Sequence, residues 1–368
     1  MEGKVKKAFP GGNTSQGSYS FFDYIIPENV KRVFYLKGGP GVGKSSLMKK
    51  IYKEFLHRGY DIDLYHCPSD PSSLDGLVIK KLGVVLMDAT APHTMDPKLP
   101  GALDEIINLG DYWNTEELEK NKQEISVYDK DISNSFKRAF KFLKSAEPIF
   151  RDIEEKYSDC MDYGKVNLVT EEFIKRLFDG VKSTGNLKRE KHLFGSAITP
   201  VGCLDYTENI LKDVNKVYYL AGEIGTGKTT LLNKVYKKAV EKGLNVEVYH
   251  YPLIPEKIET VLLTDLDIGI TISTTFKEED TIDLNQFLNR EKLLKYEEDI
   301  KFDEKVLDDL ICWAVLNLKR AKSKHDIIES YYSPNMRFDE VGKLRDKLIK
   351  RILKYEENLY THMFKINV

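Results

Sequence analysis

Short, nearly continuous apolar runs alternate with amphipathic stretches along this chain, and the same alternation occurs twice. "RVFYL" at 32–36 and "KVYYL" at 216–220 are compact apolar runs of the kind that form strands buried on both faces of a parallel sheet. Each leads straight into a glycine-rich loop. Beyond the first loop, Leu47, Met48, Ile51, Tyr52, Phe55 and Leu56 recur at helical spacing, and Gly59 is placed to end the helix. "DIDLYH" then alternates as a second strand, and "LGVVLMD" at 82–88 is a third buried one. A strand, loop, helix, strand series predicts right-handed crossovers and a doubly wound parallel sheet, with ligands beyond the carboxyl ends of the strands.

The repetition spans the chain. Gly38 and Gly222 are 222 − 38 = 184 residues apart, and this offset holds without a gap through "DIDLYHCP" against "NVEVYHYP". Upstream an offset of 185 pairs Phe9 with Phe194, and near the ends an offset of 175 pairs Ala146 with Ala321, Ile153 with Ile328 and Tyr157 with Tyr332. The pattern predicts an α/β protein built as a tandem duplication, with domains at 1–186 and 187–368 joined near "STGNL" at 183–187. Within them, 115–178 and 284–353 are rich in Glu, Lys and Leu at helical spacing and predict appended helical hairpins over the loops. Arg138, Arg176 and Arg290 in these segments are candidates to reach a bound anion.

The loops carry the most specific chemistry. "GGPGVGKS" at 38–45 and "GEIGTGKT" at 222–229 both satisfy GxxxxGK[ST], each after an apolar strand and before an amphipathic helix. Glycines let successive backbone N–H groups converge on phosphate oxygens, and the helix N-terminus adds positive potential. The motif assigns phosphate binding to Gly38, Gly39, Gly41, Val42, Gly43, Lys44, Ser45 and Ser46, and to Gly222, Gly225, Thr226, Gly227, Lys228, Thr229 and Thr230. Lys44 and Lys228 would bridge the outer phosphates, and the Ser45 and Thr229 hydroxyls would ligate Mg²⁺. Each half therefore reads as a P-loop NTPase domain.

A Mg²⁺ site also needs a carboxylate. Asp88, ending the run "VVLMD", is that candidate in the first copy, and Ile272 stands at its place in the second. His93, a candidate to sense or position the attacking water, faces Lys277, and Asp70 faces Ile254. With a three-residue shortening, Asp104 and Glu105, further candidates to orient water, align with the amides Asn285 and Gln286, which cannot ionise. These differences predict a chemically competent first site and a second that mainly binds. His66 and His250 occur in both copies and read as shared structure.

Composition narrows the setting. A chain of 368 residues exceeds what one core usually organises, and a net charge of −2 gives no reason to expect nucleic acid. Cys67, Cys160, Cys203 and Cys312 lie far apart with no CxxC pair, which fits a reducing compartment. No apolar run is long enough for a bilayer, so a cytoplasmic protein without membrane contact is the expectation.

Together, "HCPSDPSSLDG", "DATAPHTMDPKLPGALDEIINLGDYW" and the paired "KGGPGVGKS" and "AGEIGTGKT" resemble a bacterial family of tandem P-loop ATP-binding proteins that carries the labels ATPase and nucleotide kinase. The resemblance covers the whole chain and implies ATP as the nucleotide, a cytosolic bacterial setting, and phosphate binding by Gly43, Lys44 and Ser45 and by Gly227, Lys228 and Thr229. The leading expectation is a Mg²⁺-dependent ATPase whose first site uses Lys44, Ser45 and Asp88, with His93, Asp104 or Glu105 orienting water. Two alternatives stand beside it. One is a kinase acting on a nucleotide or small-molecule acceptor held by Asp70; the other is a nucleotide-gated switch that binds a protein or nucleic acid and barely turns over.

Overall fold

The structure is a computed structural model that describes residues 2–91, 94–185 and 189–365, with side chains described up to Glu356. In chain order the first half contributes β1 (Val5–Ala8), β2 (Gly11–Thr14), β3 (Gly17–Ser20), β4 (Arg32–Lys37), α1 (Lys44–His57), β5 (Ile62–His66), β6 (Leu74–Ile79), β7 (Val84–Asp88), β8 (Asp104–Asn108), α2 (Thr115–Lys120), α3 (Lys122–Asp159) and α4 (Tyr163–Leu177). The second half contributes β9 (Glu190–Phe194), β10 (Ser196–Thr199), β11 (Gly202–Asp205), α5 (Thr207–Leu211), β12 (Lys216–Ala221), α6 (Lys228–Glu241), β13 (Val246–His250), β14 (Ile258–Leu263), β15 (Ile268–Thr271), β16 (Asp280–Asp283), α7 (Arg290–Leu293), α8 (Glu297–Tyr332) and α9 (Phe338–Lys365).

The chain is an α/β protein with two six-stranded sheets of identical topology. Their orders are β1-β5-β6-β7-β4-β8 and β9-β13-β14-β15-β12-β16. Both sheets are mixed, which corrects the expectation of a wholly parallel one. β6 runs antiparallel to β5 and β7, and β14 does the same between β13 and β15. The other pairings are parallel. Strands β6 and β14, "LDGLVI" and "IETVLL", are buried along their whole length. An acid stands second in each, and this polar interruption hides the strands from a reading by apolar runs.

The compact units are not the two halves of the repeat. One comprises Met1–Pro10, Ser20–Phe136 and Lys319–Val368; the other comprises Gly11–Tyr19 and Lys137–Leu318. The first sheet therefore carries a helix from the second half of the chain: Val341, Leu348 and Ile352 of α9 join a core with Leu47, Met48, Ile51 and Phe55 of α1 and the strands β4 to β7. The second sheet carries a helix from the first half, as Phe173 and Leu177 of α4 pack with Leu231, Leu232 and Val235 of α6 and with β12 to β15. Exchanging equivalent helices leaves each sheet with the same type of apolar cover, so burial is unchanged while each unit draws on both halves. Asn186 and Leu187, at the expected junction, lie outside the described residues.

All four cysteines are free thiols. Among the described residues no helix is long and apolar enough to cross a membrane.

Candidate functional site

The two glycine loops adopt matching backbones. Gly41 and Gly43 have φ of 70° and 92°, and Gly225 and Gly227 have 84° and 101°. Gly43 and Gly227 occupy the N-cap positions of α1 and α6 in a left-handed conformation that disfavours any side chain. Each loop thus follows the carboxyl end of an interior strand and opens onto the positive end of a helix of 14 residues.

In the first unit Lys44 Nζ folds back onto its loop, donating to the Gly38 carbonyl at 2.5 Å and the Gly39 carbonyl at 3.0 Å. It also lies 3.5 Å from Asp88 Oδ2. The other carboxylate oxygen, Asp88 Oδ1, accepts from the Thr90 amide at 2.9 Å. Parallel pairing sets Asp88 beside Leu36, so strand register alone delivers the carboxylate to the mouth of the loop. Ser45 Oγ faces the start of β6, where it accepts from the Leu74 amide at 3.0 Å.

The next residue, Asp75, was not singled out in the sequence. It is only 5% exposed, and its Oδ2 has no hydrogen-bond partner among the described residues. Its carboxyl is pushed up to about 8 by burial and then by the charge of Asp88, against a hydrogen bond with Cys67 and the nearby Lys44. Antiparallel register pairs Gly76 with Met87, the chain neighbours of Asp75 and Asp88, and Asp75 is the residue that the β5–β6 register skips between Gly76 and Leu74. Burial and Asp75 together push the Cys67 thiol well above its usual range. The sequence did hold a signal: an acid inside a buried run at the same place in both copies, Asp75 and Glu259, at an offset of 259 − 75 = 184.

The second unit repeats the loop and changes its surroundings. Lys228 donates to the carbonyls of Gly222 and Glu223, but the side chain that would answer Asp88 is Ile272. Burial pushes the Lys228 ammonium down to about 8, against the nearby carboxylates of Glu223 and Glu154. Glu259 is buried, accepts from Ser196 Oγ at 2.6 Å, and is pushed up to about 8 by burial and then by Asp205. Thr229 is the second residue of α6 as Ser45 is of α1, one past the loop lysine.

Helical segments from the opposite half of the chain clasp both loops. Ser333 Oγ donates to the Gly41 carbonyl at 3.1 Å, and Ser158 Oγ donates to the Gly225 carbonyl at 3.2 Å. These serines stand 333 − 158 = 175 residues apart, as do the tyrosines Tyr332 and Tyr157 before them. The fit is close: a methyl group on Gly41 would meet Ser333 Oγ at 2.8 Å, and one on Gly225 would meet the Glu154 carbonyl at 2.4 Å. Phe338 lies over Gly43 and Tyr163 over Gly227, but the Tyr163 hydroxyl adds bonds to the Gly225 carbonyl at 2.6 Å and to Ser158 Oγ at 2.8 Å. Phe338 has no hydroxyl with which to do the same.

Other sequence candidates fall elsewhere. Asp104 and Glu105 lie in β8 beside Val33 and Phe34, at the end of β4 remote from the loop by about four residues, or ~13 Å. Asp104 is buried and accepts from the Lys98 and Leu99 amides at 2.7 and 2.8 Å, and Glu105 forms a two-bond ion pair with Arg351. Register also replaces the alignment with Asn285 and Gln286. Phe34 pairs with Glu105 as Tyr218 pairs with Asp280, so the acid is retained in both copies. His93 lies outside the described residues. Asp70 is enclosed by Ser72 Oγ and Ser73 Oγ, each at 2.7 Å, and Lys322 stands 3.6 Å away. Burial raises its carboxyl, and these partners outweigh that and hold it below its ordinary value. Arg138 and Arg176 stack over Phe142 and Phe173, each at 5.7 Å, and Arg290 opens α7.

Neither family models, curated proteins nor solved structures contain a match to this chain.

Proposed function

We propose that this chain is a tandem P-loop ATP-binding protein in which the first loop hydrolyses ATP with Mg²⁺ and the second binds nucleotide as a regulatory site. The observation that carries the reading is the difference between two otherwise matching loops. The first has Lys44, Ser45, Asp88 and Asp75 converging, and the second has Ile272 where Asp88 would be.

Mg²⁺ fits the first set of donors. Two neighbouring carboxylates, one with an unpartnered buried oxygen among the described residues, and a serine hydroxyl form a hard-oxygen set, and a divalent cation would relieve the repulsion between the two acids. Ser45, Asp88 and Asp75 would hold the ion, directly or through its waters, and the ion would supply charge neutralisation on the outer phosphates. Lys44 would exchange its two carbonyl contacts for phosphate oxygens and offset negative charge as it builds up in the transition state. The loop amides would fix the phosphate chain, and the clasp would limit water around it.

The bonds from Ser333 and Ser158 favour one further reading, a switch in which loop occupancy loosens a helix of the opposite half. Asp70, already filled by serines, gives the kinase reading no comparable support. The test is phosphate release by the full chain against Asp88→Asn. About a hundredfold slower release with ATP still bound supports hydrolysis at the first loop, and unchanged release contradicts it.

A further inference from the structure

We infer that the first copy alone has a nucleobase pocket, a cleft between α1 and α9 in which a base stacks on Phe338. This deepens the proposed function and rests on its assignment of phosphates to the first loop.

The cleft has a volume of about 270 Å³. Ser46, Leu47 and Lys50 line it from one face of the first two turns of α1, and Phe338, Val341 and Arg345 line it from one face of α9. Each set follows helical spacing, so the groove is a product of two straight helices and needs no special loop. Its floor is apolar, because Leu47 and Val341 are buried, and its wall is the Phe338 ring, a large apolar side chain left 48% exposed. Lys50 and Arg345 bring positive charge to the rim. Among the described residues Arg345 is paired only with its chain neighbour Asp346, at 2.7 and 2.9 Å, and that carboxylate is exposed.

Position joins the cleft to the loop. Ser45 turns toward β6 and the carboxylates, whereas Ser46, one residue on, turns into the cleft. A phosphate chain held by the loop with its outer end at Lys44 and Asp88 leaves its inner end near Ser46. A flat aromatic ligand attached there meets an apolar floor, an aromatic face and two cations. The volume is below the roughly 300–1,000 Å³ of pockets for drug-sized molecules, which suits a single ring system. Stacking on an aromatic face tolerates any base, and cations beside the sugar favour the phosphorylated form.

The second copy lines the equivalent place with different side chains, tied to one another. At the offset of 175, Tyr163, Asn167 and Thr170 replace Phe338, Gly342 and Arg345. Lys234 Nζ, which answers Lys50, donates to Asn167 Oδ1 at 3.1 Å, and Tyr163 is tied to the loop carbonyl. Thr170 turns inward to the Val166 carbonyl at 2.7 Å and offers no cation. Gly342 is therefore the telling residue. A Cβ there meets no atom within 4 Å, so a side chain fits the helix freely and grows toward the cleft.

The experiment is calorimetric titration of the full chain carrying Lys228→Ala, which silences the second loop, with ATP and separately with inorganic tripolyphosphate. Gly342→Asn is expected to weaken ATP about tenfold or more, as loss of one base stack does, and to move tripolyphosphate by less than about threefold, while Phe338→Ala, which also uncovers Gly43, is expected to weaken ATP by more than it weakens tripolyphosphate. Gly342→Asn guards against a folding artefact, since asparagine is no worse than glycine inside a helix. If the variants leave ATP unchanged, or weaken both ligands equally, the pocket assignment is overturned. If Lys44→Ala abolishes binding of both ligands while the cleft variants do nothing, only the cleft falls. If the intact first loop binds neither ligand, the cleft and the proposed function fall together.

Discussion

Asp75 and Asp88 adjoin the paired residues Gly76 and Met87 of the antiparallel strands β6 and β7, near enough for the Asp88 charge to raise the Asp75 carboxyl. Two ionised carboxylates so placed would repel each other, and Asp75 avoids this by holding a proton to about pH 8. A cation bound between them would let both ionise. Asp75→Asn is therefore expected to lower Mg²⁺-dependent ATP turnover by about a hundredfold while leaving the apo chain as stable as the parent or more so. Turnover assays paired with thermal melts in the presence of a chelator check this. Undiminished turnover would remove Asp75 from the site.

Glu259 gives the second unit a pH-dependent stability. Its carboxyl is raised to about 8 in the folded chain by burial and by Asp205, so folding takes up a proton between about pH 4.5 and 8. Its contribution is fully present below pH 4.5 and is lost as pH rises through 8. Glu259→Gln keeps a hydrogen-bond acceptor for Ser196 without ionising. Between pH 5 and 8.5 the parent's melting temperature should fall more steeply than the variant's. Parallel curves would refute the assignment.

Tyr163 secures the second clasp through its hydroxyl. Tyr163→Phe removes bonds of 2.6 and 2.8 Å and gives the second loop a cover like that of Phe338. Stopped-flow displacement of nucleotide from the second loop should speed up several-fold, with a stability loss of about 1 kcal/mol. An unchanged release rate would mean that the clasp does not gate the loop.

Arg351 supports α9 against β8. It pairs with Glu105 through two bonds and lies 5.2 Å from the Phe34 ring centre. Arg351→Ala should cost about 1–2 kcal/mol in chemical denaturation, as both charge pairing and packing are lost from a half-buried place. Glu105→Gln should leave ATP turnover per folded molecule unchanged, because Glu105 lies at the far end of the strand from the loop. A large loss of turnover in Glu105→Gln would restore it as a water-orienting residue.

Much of this architecture could be read in advance, for definable reasons. The loops were legible because GxxxxGK[ST] fell between a buried strand and an amphipathic helix in both copies, and the backbones of Gly38–Ser45 and Gly222–Thr229 do match. The place of Asp88 at a strand end was legible because it closes an apolar run, and β7 does end there. The antiparallel β6 was not, since Asp75 breaks the run that would have marked it. The shortening from an offset of 184 to 175 takes full effect before β8 and β16, and assuming only three residues of it set Asp104 and Glu105 against the wrong partners. The exchange of α4 and α9 was invisible for a deeper reason. Two copies of one sequence present equivalent apolar faces, so periodicity says that a helix covers a sheet but not which sheet it covers.

The most direct test is steady-state ATP turnover with Mg²⁺ for the intact chain, Lys44→Ala and Lys228→Ala, with bound nucleotide counted on the same samples. The account predicts that Lys44→Ala eliminates turnover, that Lys228→Ala retains a substantial fraction of it, and that the intact chain binds two nucleotides where each variant binds one. Equal turnover in all three proteins, or loss confined to Lys228→Ala, would contradict it.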